Sequence, residues 1–460
     1  MTQTRRRARR ALLAVAALVA AAASARVGCN VATRITSPTV AIAPVHLDVQ
    51  GDVARIGPSY LRRRGSLWEM GLSGDAVARG QALSTLLRAP MIDDERAMYE
   101  QFKHDVPFAP ARWLLVDLGR VRFRHVDEGI PQDLRLELAG IAGGFQPDPF
   151  ASVLPSYHRF VFLYTVYDIA LSFEKSPLIG CTTFTVPPSS AGHSLLARAF
   201  DFEAGEVFDR DKVVYFVKEP GRIPFASVGW PGFVGVVSGM NVKGVSIVVH
   251  GGRAGTPRTT GIPVVFSLRE VLARATTTEE AIAILSAQEV LVSHIVIVND
   301  AKGDAAVVER APGVPAFVRR SHAPLATTNH FEGPLASDPH DAEVRAKTST
   351  IARRARGDAL VKALPKDPSV LDLVAMLRDR KAADGSALPL GDRRAIDALI
   401  ATHGVVMDAT DKALWVSEYP HLLGRFVRFD LEKLLAADFD PSKDDGSVVA
   451  VPADPLDKTR

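Results

Sequence analysis

The sequence predicts an α+β protein with packed sheets, because the spacing of its apolar residues changes along the chain. Between residues 30 and 180 most apolar runs have helical spacing. Between residues 181 and 330 they alternate or form short β-branched runs, interrupted by two helical stretches at 267–275 and 278–287. Helical spacing returns after residue 332. This order of strands, helices, strands and helices favours a layered α+β fold.

Composition places the chain among ordinary globular proteins. Its 460 residues are 47% hydrophobic and 23% charged, which leaves room for one large layered domain or for two domains. The net charge is +3, and five arginines lie within the first ten residues, so the remaining chain is nearly neutral. Nothing in this balance indicates a nucleic-acid partner.

Residues 1–29 have the pattern of an export signal. A basic start is followed by the apolar run Ala11 to Ala23, too short to span a bilayer, and by the cleavage-site pattern Ala23-Ser24-Ala25. We therefore predict a protein that is periplasmic, attached to the cell envelope or secreted. Val27-Gly28-Cys29 is similar to the end of a bacterial lipobox, with Arg26 where an aliphatic residue is expected. A lipid anchor at Cys29 and soluble secretion both stay open, and this anchor is the only membrane contact that we predict.

Residues 30–180 are predicted to form a mainly helical lead segment. Helices are expected from Ser73 to Leu87, Ile92 to Asp105, Leu134 to Ile141 and Phe160 to Phe173. Asp168 within the last of these helices is expected to be a structural carboxylate rather than one that orients catalytic groups.

The residues that indicate chemistry begin at Cys181. Thr182 to Val186 and Ser194 to Phe200 read as two strands joined by a loop of proline, serine and glycine. A hairpin centred near Ser190 would place Cys181 opposite Ala199 and return Arg198 and Asp201 to the cysteine end. A guanidinium there would lower the pKa of the thiol, and Asp201 would pair with Arg198 or hold an α-amine.

Three further polar positions have two interpretations each. Asn241 lies in a glycine-flanked turn, which favours a backbone role over an oxyanion donor. Asn329 and His330 end a strand, where a histidine is more often structural than catalytic. His250-Gly251-Gly252 is similar to a lipase oxyanion loop, but the chain has no Gly-x-Ser-x-Gly motif to accompany it.

Several motifs, in order, resemble one family. They are Gly180-Cys181-Thr182-Thr183-Phe184, Ala197-Arg198-Ala199-Phe200-Asp201-Phe202, Gly239-Met240-Asn241-x-x-Gly244, Leu268-Arg269-x-Val271-Leu272 with Ala275-Thr276-Thr277, and Thr328-Asn329-His330-Phe331. Together they resemble the acyl-CoA:6-aminopenicillanic acid acyltransferase-like family (peptidase family C45), which is related to choloylglycine hydrolases within the N-terminal nucleophile (Ntn) hydrolases. The resemblance covers roughly residues 60–430.

The resemblance implies a four-layer αββα sandwich that is activated by cleavage of the Gly180–Cys181 bond. The freed α-amine of Cys181 would then act as the base for its own thiol. By this resemblance, Arg198 and Asp201 would position the amine and the thiolate of Cys181. Asn241 would supply an oxyanion donor, and Asn329 would be a polar residue of the site. His330 and Arg353 are additional candidates. Ala199 departs from the family's usual asparagine, and Arg353 or Arg354 only approximately replaces its late Ser-Arg element.

The chain is accordingly divided into residues 1–29 (export signal), 30–180 (lead segment or α chain), 181–437 (catalytic region or β chain) and 438–460 (loose tail). We predict an amidohydrolase that forms a thioester on Cys181 and acts on a small acyl amide, with no cofactor and no metal site. The alternatives are an N-acyltransferase and a non-catalytic envelope lipoprotein on the same scaffold. The sequence leaves the acyl chain, the leaving amine and the oligomeric state open.

Overall fold

The computed structural model describes residues 3–172, 180–188, 192–202 and 205–458. Phe173, the last residue of a predicted helix, and residues 189–191 of the predicted loop lie outside these ranges.

Eighteen strands are found in the part of the chain that the structure describes. They are β1 (Asp48–Gln50), β2 (Val53–Ile56), β3 (Ser59–Arg64), β4 (Leu67–Ser73), β5 (Gly180–Val186), β6 (Leu195–Asp201), β7 (Val213–Lys218), β8 (Phe225–Gly229), β9 (Ser238–Asn241), β10 (Ser246–Gly251), β11 (His294–Asn299), β12 (Ala305–Arg310), β13 (Phe317–Ser321), β14 (Leu325–Thr327), β15 (Ala401–Asp408), β16 (Ala413–Ser417), β17 (Phe426–Asp430) and β18 (Ala450–Val451).

The same ranges contain fourteen α-helices. They are α1 (Gln3–Ala32), α2 (Ala76–Leu86), α3 (Arg88–Asp105), α4 (Ala109–Arg122), α5 (Gln132–Gly144), α6 (Ser156–Tyr164), α7 (Val166–Leu171), α8 (Glu206–Arg210), α9 (Val264–Arg274), α10 (Thr278–Ala287), α11 (Pro339–Lys347), α12 (Thr350–Lys362), α13 (Val370–Leu377) and α14 (Leu431–Leu434). Val126–Gly129 and Pro334–Ser337 are short 3-10 helices. None of the described helices combines the length and apolar character needed to cross a bilayer.

The strands form two sheets. The first has eleven strands in the order β1-β2-β3-β4-β7-β8-β9-β10-β11-β12-β13, and the second has seven in the order β14-β5-β6-β15-β16-β17-β18. Neighbouring strands are antiparallel except β4 and β7, which are parallel. A parallel pair needs a long crossover connection, and here the lead helices and the β5–β6 hairpin lie within it.

Three apolar clusters separate four layers. One cluster joins the facing sides of the two sheets, with Phe216 and Ile297 from the first and Val405 and Val427 from the second. A second cluster packs the outer face of the first sheet against helices such as α2, α5 and α9. A third packs α13 against the outer face of the second sheet. The predicted αββα arrangement is therefore confirmed.

The lead segment contains helices at each predicted position, but its start was not anticipated. Residues 48–73 form four strands that extend the first sheet, and α4 was also missed. The first predicted helix begins later than expected, because the Asp75 side chain, and not that of Ser73, accepts the capping hydrogen bond from the Ala78 amide. Asp168 has the expected structural role, since its carboxylate accepts from the Val264 amide at the start of α9.

The segment at residues 438–460, predicted to be a loose tail, contacts the core at several points. β18 pairs with β17, and the buried Asp444 side chain forms ion pairs with Arg62 and Arg64 on β3. Asp440 likewise pairs with Arg55 on β2, so two of the tail aspartates bind arginines of the first sheet.

Candidate active site

Cys181 is the second residue of β5 and is completely buried. Its side chain lies on the face of the second sheet that is turned toward the first sheet, as do those of Thr183 on β5 and Leu196 on β6. The Arg198 Nη2 group donates a hydrogen bond to the Cys181 Sγ atom at 3.2 Å. The thiol therefore has a cation beside it in the space between the two sheets.

The register of the β5–β6 hairpin differs by one residue from the predicted one. Cys181 lies opposite Phe200, and not opposite Ala199, while Gly180 lies opposite Asp201. A shift of one residue exchanges the two faces of a strand. It puts Arg198 on the side of the thiol and Asp201 on the opposite side, so the predicted Arg198–Asp201 pair does not form.

Arg198 is held in place by both sheets. Its Nη2 group also donates to the Val249 carbonyl at 2.7 Å, and its Nη1 group donates to the Val237 carbonyl at 3.0 Å and the Ser238 hydroxyl at 2.5 Å. The guanidinium carbon lies 4.1 Å from the centre of the Phe200 ring. These contacts fix the guanidinium against the thiol without a carboxylate partner in the described residues.

Burial outweighs this cation in setting the acidity of the thiol. The pKa of Cys181 is raised, because burial disfavours the thiolate more than the Arg198 guanidinium and its hydrogen bond favour it. The sequence predicted the lowering effect of the guanidinium correctly but missed the larger opposing effect. In the uncleaved chain Cys181 is therefore a neutral thiol at neutral pH.

Asp201 lies against the bond that precedes Cys181. A Cβ atom placed on Gly180 would be only 3.1 Å from the Asp201 Cβ and 3.2 Å from its Oδ2, so glycine permits this close approach. Burial raises the pKa of Asp201 to about 7, although the Arg353 cation acts against this. A carboxyl group that titrates near neutrality thus lies beside the Gly180–Cys181 bond.

Asn329 and Arg353 hold the backbone of Cys181. The Cys181 amide donates to Asn329 Oδ1 at 2.7 Å, and Arg353 Nη2 donates to the same oxygen at 2.9 Å. Arg353 Nη1 also donates to the Cys181 carbonyl and to the Thr182 hydroxyl. Of the two arginines that the sequence offered for the late position, Arg353 is the one at the site, whereas Arg354 pairs with Glu332 and Asp358.

His330 lies next to Asn329 but is directed elsewhere. Its Nδ1 atom is 3.1 Å from the hydroxyls of Thr328 and Thr350, and its Nε2 atom is 3.6 Å from a Glu332 oxygen. Burial lowers the pKa of His330 to about 4. These contacts make His330 a structural residue, which is the alternative that the sequence favoured for a strand-end histidine.

Asn241 does not supply the oxyanion donor that the family resemblance implied. Both hydrogens of its amide are donated, at 2.8 Å, to the carbonyls of Leu272 and Ala275 at the end of α9. Its Oδ1 atom accepts from the Lys243 and Val245 amides. Asn241 therefore joins a turn to a helix end, as the glycine-flanked pattern had indicated.

Two aromatic residues near the thiol were missed in the sequence. Tyr167 of α7 is buried, and its hydroxyl has no hydrogen-bond partner among the described residues. Burial first, and then the charge on Cys181, raises the pKa of Tyr167. His403 lies opposite Phe200 on β15, stacks on its ring and has its Nε2 atom 3.0 Å from the Ser238 hydroxyl. His403 is more than 200 residues from Cys181, whereas Tyr167 is only 14 residues before it, in the helix predicted from Phe160 to Phe173, and no motif marks either residue.

One acidic group outside this site has the composition of a metal site. His193, Asp408 and Asp411 each offer a ligand atom, and these atoms lie within 4.8 Å of one another. His193 Nδ1 is 2.7 Å from an Asp408 oxygen, so a hydrogen bond between these two side chains explains why they lie together. The sequence prediction did not anticipate this cluster, because its members are separated by more than 200 residues.

Two packed sheets between helical layers, with a cysteine at the start of an inner strand, form the four-layer αββα sandwich. Residues 190–388, less than half of the chain, match the family model "Acyl-coenzyme A:6-aminopenicillanic acid acyl-transferase". The match includes Arg198, Asp201, Asn241, Asn329 and Arg353, and it begins after Gly180 and Cys181.

The individual relatives are distant. An uncharacterized protein of Archaeoglobus fulgidus is 26% identical over 271 residues, which are 56% of this chain and 44% of that protein. The chain thus spans less than half of this relative's length. Among solved structures, the chain is similar to a Caenorhabditis elegans N-acylethanolamine-hydrolyzing acid amidase ortholog (18% identity, 50% of this chain and 93% of that chain, TM-score 0.38). It is also similar to a Clostridium perfringens conjugated bile acid hydrolase mutant (13%, 59% and 97%, TM-score 0.37) and an Agrobacterium tumefaciens penicillin V acylase (18%, 54% and 91%, TM-score 0.34). Such distant similarity does not identify a substrate.

Proposed function

We propose that the chain is a cysteine amidohydrolase that is activated by cleavage of its own Gly180–Cys181 bond. The observation that carries this proposal is the set of contacts around Cys181. The thiol receives a hydrogen bond from Arg198 at 3.2 Å, and the amide nitrogen, which cleavage would turn into an amine, is bound by Asn329 at 2.7 Å. A merely structural buried thiol requires neither contact.

Activation is proposed to begin with attack of the Cys181 sulfur on the Gly180 carbonyl carbon. The thiol proton passes to the Cys181 nitrogen, the carbon–nitrogen bond breaks, and a thioester joins Gly180 to Cys181. Water then hydrolyses the thioester and leaves a Gly180 carboxylate and a free α-amine on Cys181. Asp201, with its pKa of about 7 and its position against Gly180, is the candidate for moving these protons.

In the turnover reaction the freed amine is proposed to accept the thiol proton and later to give it to the leaving amine of the substrate. Arg198 would stabilise the thiolate, while Asn329 and Arg353 would hold the amine and backbone of Cys181. The acyl group passes from the substrate amide to sulfur and then to water. Hydrolysis is favoured over transfer to an amine because we predict export, away from a supply of acyl-CoA.

Export and a small acyl amide substrate are parts of the same proposal, in which a lipid anchor at Cys29 and soluble secretion both stay open. They rest on the basic, apolar and small-residue pattern of residues 1–29 and on the thiol chemistry described above. The rival is a non-catalytic envelope lipoprotein in which Cys181 only packs.

Intact mass spectrometry of the purified chain tests the proposal. We expect two fragments, one ending at Gly180 and one beginning at Cys181, and a single uncleaved chain for Cys181→Ala. Cys29→Ala is the matched control, since it removes the other cysteine and should leave cleavage unchanged. A wild-type chain that stays intact would remove the main support for the enzyme. N-acyl amino acids, penicillins and bile-salt-type amides then form the first substrate panel for the cleaved protein.

A further inference from the structure

A cavity of about 160 Å³ lies beside the Cys181 strand pair, between the lead segment and the catalytic region. Six aromatic residues line it: Phe160, Tyr164, Phe202, Phe208, Trp230 and Phe233. The Phe200 ring, which is opposite Cys181, is centred 5.6 Å from the Trp230 ring. Phe200, the strand partner of Cys181, therefore packs against one of the rings that line the cavity.

The cavity also contains a carboxyl group without a partner. Asp94 of α3 is 5% exposed, and neither of its side-chain oxygens has a hydrogen-bond partner among the described residues. The adjacent Glu95 is different, because it forms an ion pair of 2.6 Å with Arg159. Burying a carboxyl group without a partner is costly, so Asp94 needs an explanation that packing of the chain does not provide.

A cationic ligand provides that explanation. A carboxylate surrounded by aromatic ring faces is the combination that binds an ammonium group, through an ion pair and cation–π attraction. An anionic ligand would not stabilise the ionised form of Asp94, and a purely apolar ligand would leave the carboxyl group without a partner. The size also sets a limit, since a cavity of about 150 Å³ accommodates a benzene ring.

We propose that this cavity receives the far end of the substrate's acyl group, and that this end is a small apolar group carrying a basic nitrogen bound by Asp94. The inference rests on the proposed function for its link to the acyl group, but the binding itself does not need catalysis. It assigns Asp94 as a specificity-determining residue at a site built jointly by the lead segment and the catalytic region.

Binding should be linked to the release of a proton. In the empty cavity Asp94 is protonated at pH 7, because burial raises its pKa to about 8. The neighbouring charges are Asp211, which adds to this effect, Arg210, which opposes it, and Asp93 on the same helix. A bound ammonium ion stabilises the carboxylate, so the Asp94 proton leaves to the buffer as the ion pair forms. Affinity should therefore rise from pH 6 to pH 8.

Isothermal titration calorimetry with benzylamine on full-length Cys181→Ala tests this, because that variant lacks the thiol and gives binding without turnover. Benzyl alcohol is the neutral probe of the same size. We expect benzylamine to bind at pH 7 with release of about one proton, measured in phosphate and in Tris, and to bind at least about ten-fold more tightly than benzyl alcohol.

Asp94→Asn in the same background should weaken benzylamine binding about ten-fold or more and abolish proton release. Glu100→Gln is the matched control, since it removes an exposed carboxylate of the same helix that does not act on the pKa of Asp94, and it should change neither quantity. Proton release when benzylamine binds to Cys181→Ala, in which Asp94 is unchanged, tests the role of Asp94 without a substitution in the cavity. Equal affinity for the two probes, no effect of Asp94→Asn, or no benzylamine binding would each overturn the inference.

Different experimental results would refute the inference about Asp94 and the proposed function. A wild-type chain that cleaves itself and hydrolyses amides, in which Cys181→Ala does not bind benzylamine, would refute only the inference. Proton-linked benzylamine binding by a chain that never cleaves would refute only the proposed function.

Discussion

At the scale of single residues, Arg198 determines what the thiol of Cys181 can do. Its two terminal nitrogens donate hydrogen bonds to the Val237 and Val249 carbonyls on the side of the first sheet and to the sulfur atom, and the planar guanidinium is the only side-chain cation with this geometry. A lysine would carry the same charge from a single nitrogen. A lysine substitution at this position therefore separates the effect of the charge on the thiol from the effect of the guanidinium geometry.

Arg198→Lys should reduce thiol reactivity in the cleaved protein. A lysine cannot reach the sulfur and the Val237 and Val249 carbonyls together, so we expect a loss of about ten-fold or more in the rate of alkylation by iodoacetamide, matching the ~1.5–3 kcal/mol of a charge-assisted hydrogen bond. Arg356→Lys, at a pair with Asp379 away from the site, is the control. Unchanged alkylation in a folded Arg198→Lys protein would contradict a role for Arg198 in stabilising the thiolate.

The sequence predicted which residues lie near Cys181 better than it predicted the face of the sheet on which each side chain lies. Period-two alternation already requires Arg198 and Asp201, three positions apart on one strand, to point to opposite faces. The prediction that they pair conflicted with this rule, and the one-residue error in register concealed the conflict. The burial that raises the pKa of the thiol could not be predicted, because it depends on how α7 and the first sheet pack against β5, which the local sequence pattern does not show.

At the scale of secondary-structure elements, Asn241 connects the β9–β10 turn to the end of α9. A helix end leaves carbonyl groups without intrahelical partners, and the Asn241 amide satisfies two of them in a buried location. The motif that includes Leu268 and Ala275 therefore packs with the motif that includes Asn241. Two of the five family motifs thus meet for a structural reason, which spacing along the chain could not reveal.

Asn241→Ala should destabilise the fold without changing the intrinsic reactivity of the thiol. Loss of the side chain leaves buried carbonyl and amide groups without partners, at a cost of about 2–4 kcal/mol in the free energy of unfolding. Urea denaturation measures this cost, and iodoacetamide alkylation of the folded protein measures reactivity. Lys243→Ala, an exposed change in the same turn, should affect neither. If Asn241→Ala instead kept full stability and abolished amide hydrolysis, the oxyanion role implied by the family would be correct.

At the scale of the whole molecule, the lead segment is part of the sandwich and not an appendage. Its strands complete the first sheet, its helices cover that sheet, and Tyr167 lies near the thiol. Helical periodicity revealed most of its helices. It did not reveal the four strands at residues 48–73, because those strands are short and several of their buried positions are arginines paired with acidic residues. Cleavage at Gly180 would therefore leave two fragments held together by a common core.

The fold buries four carboxyl groups whose titration makes its stability depend on pH. Burial raises the pKa of Asp94 to about 8 and that of Glu95, Asp168 and Asp201 to about 7. Between pH 6.5 and pH 8 these groups keep protons in the folded chain that the unfolded chain has lost. The buried histidines, whose pKa values are lowered by burial, are neutral in the folded chain, whereas in the unfolded chain, at their ordinary pKa of about 6.5, they are half protonated at pH 6.5. They therefore oppose the carboxyl groups near pH 6.5, and this effect fades above pH 7.

Stability should therefore fall as the pH rises from 7 to 8, where the unfolded chain binds fewer protons than the folded one. Each carboxyl group contributes a slope of at most about 1.4 kcal/mol per pH unit. Urea denaturation of full-length Cys181→Ala at several pH values measures the slope on a single covalent species. Asp94→Asn in that background should make the slope shallower, since it removes the group with the highest of these four pKa values, whereas Glu100→Gln should leave it unchanged. A free energy of unfolding that is constant or rises over this range would show that the four carboxyl groups are already ionised in the folded protein, and it would also remove the basis for the proton release expected at Asp94.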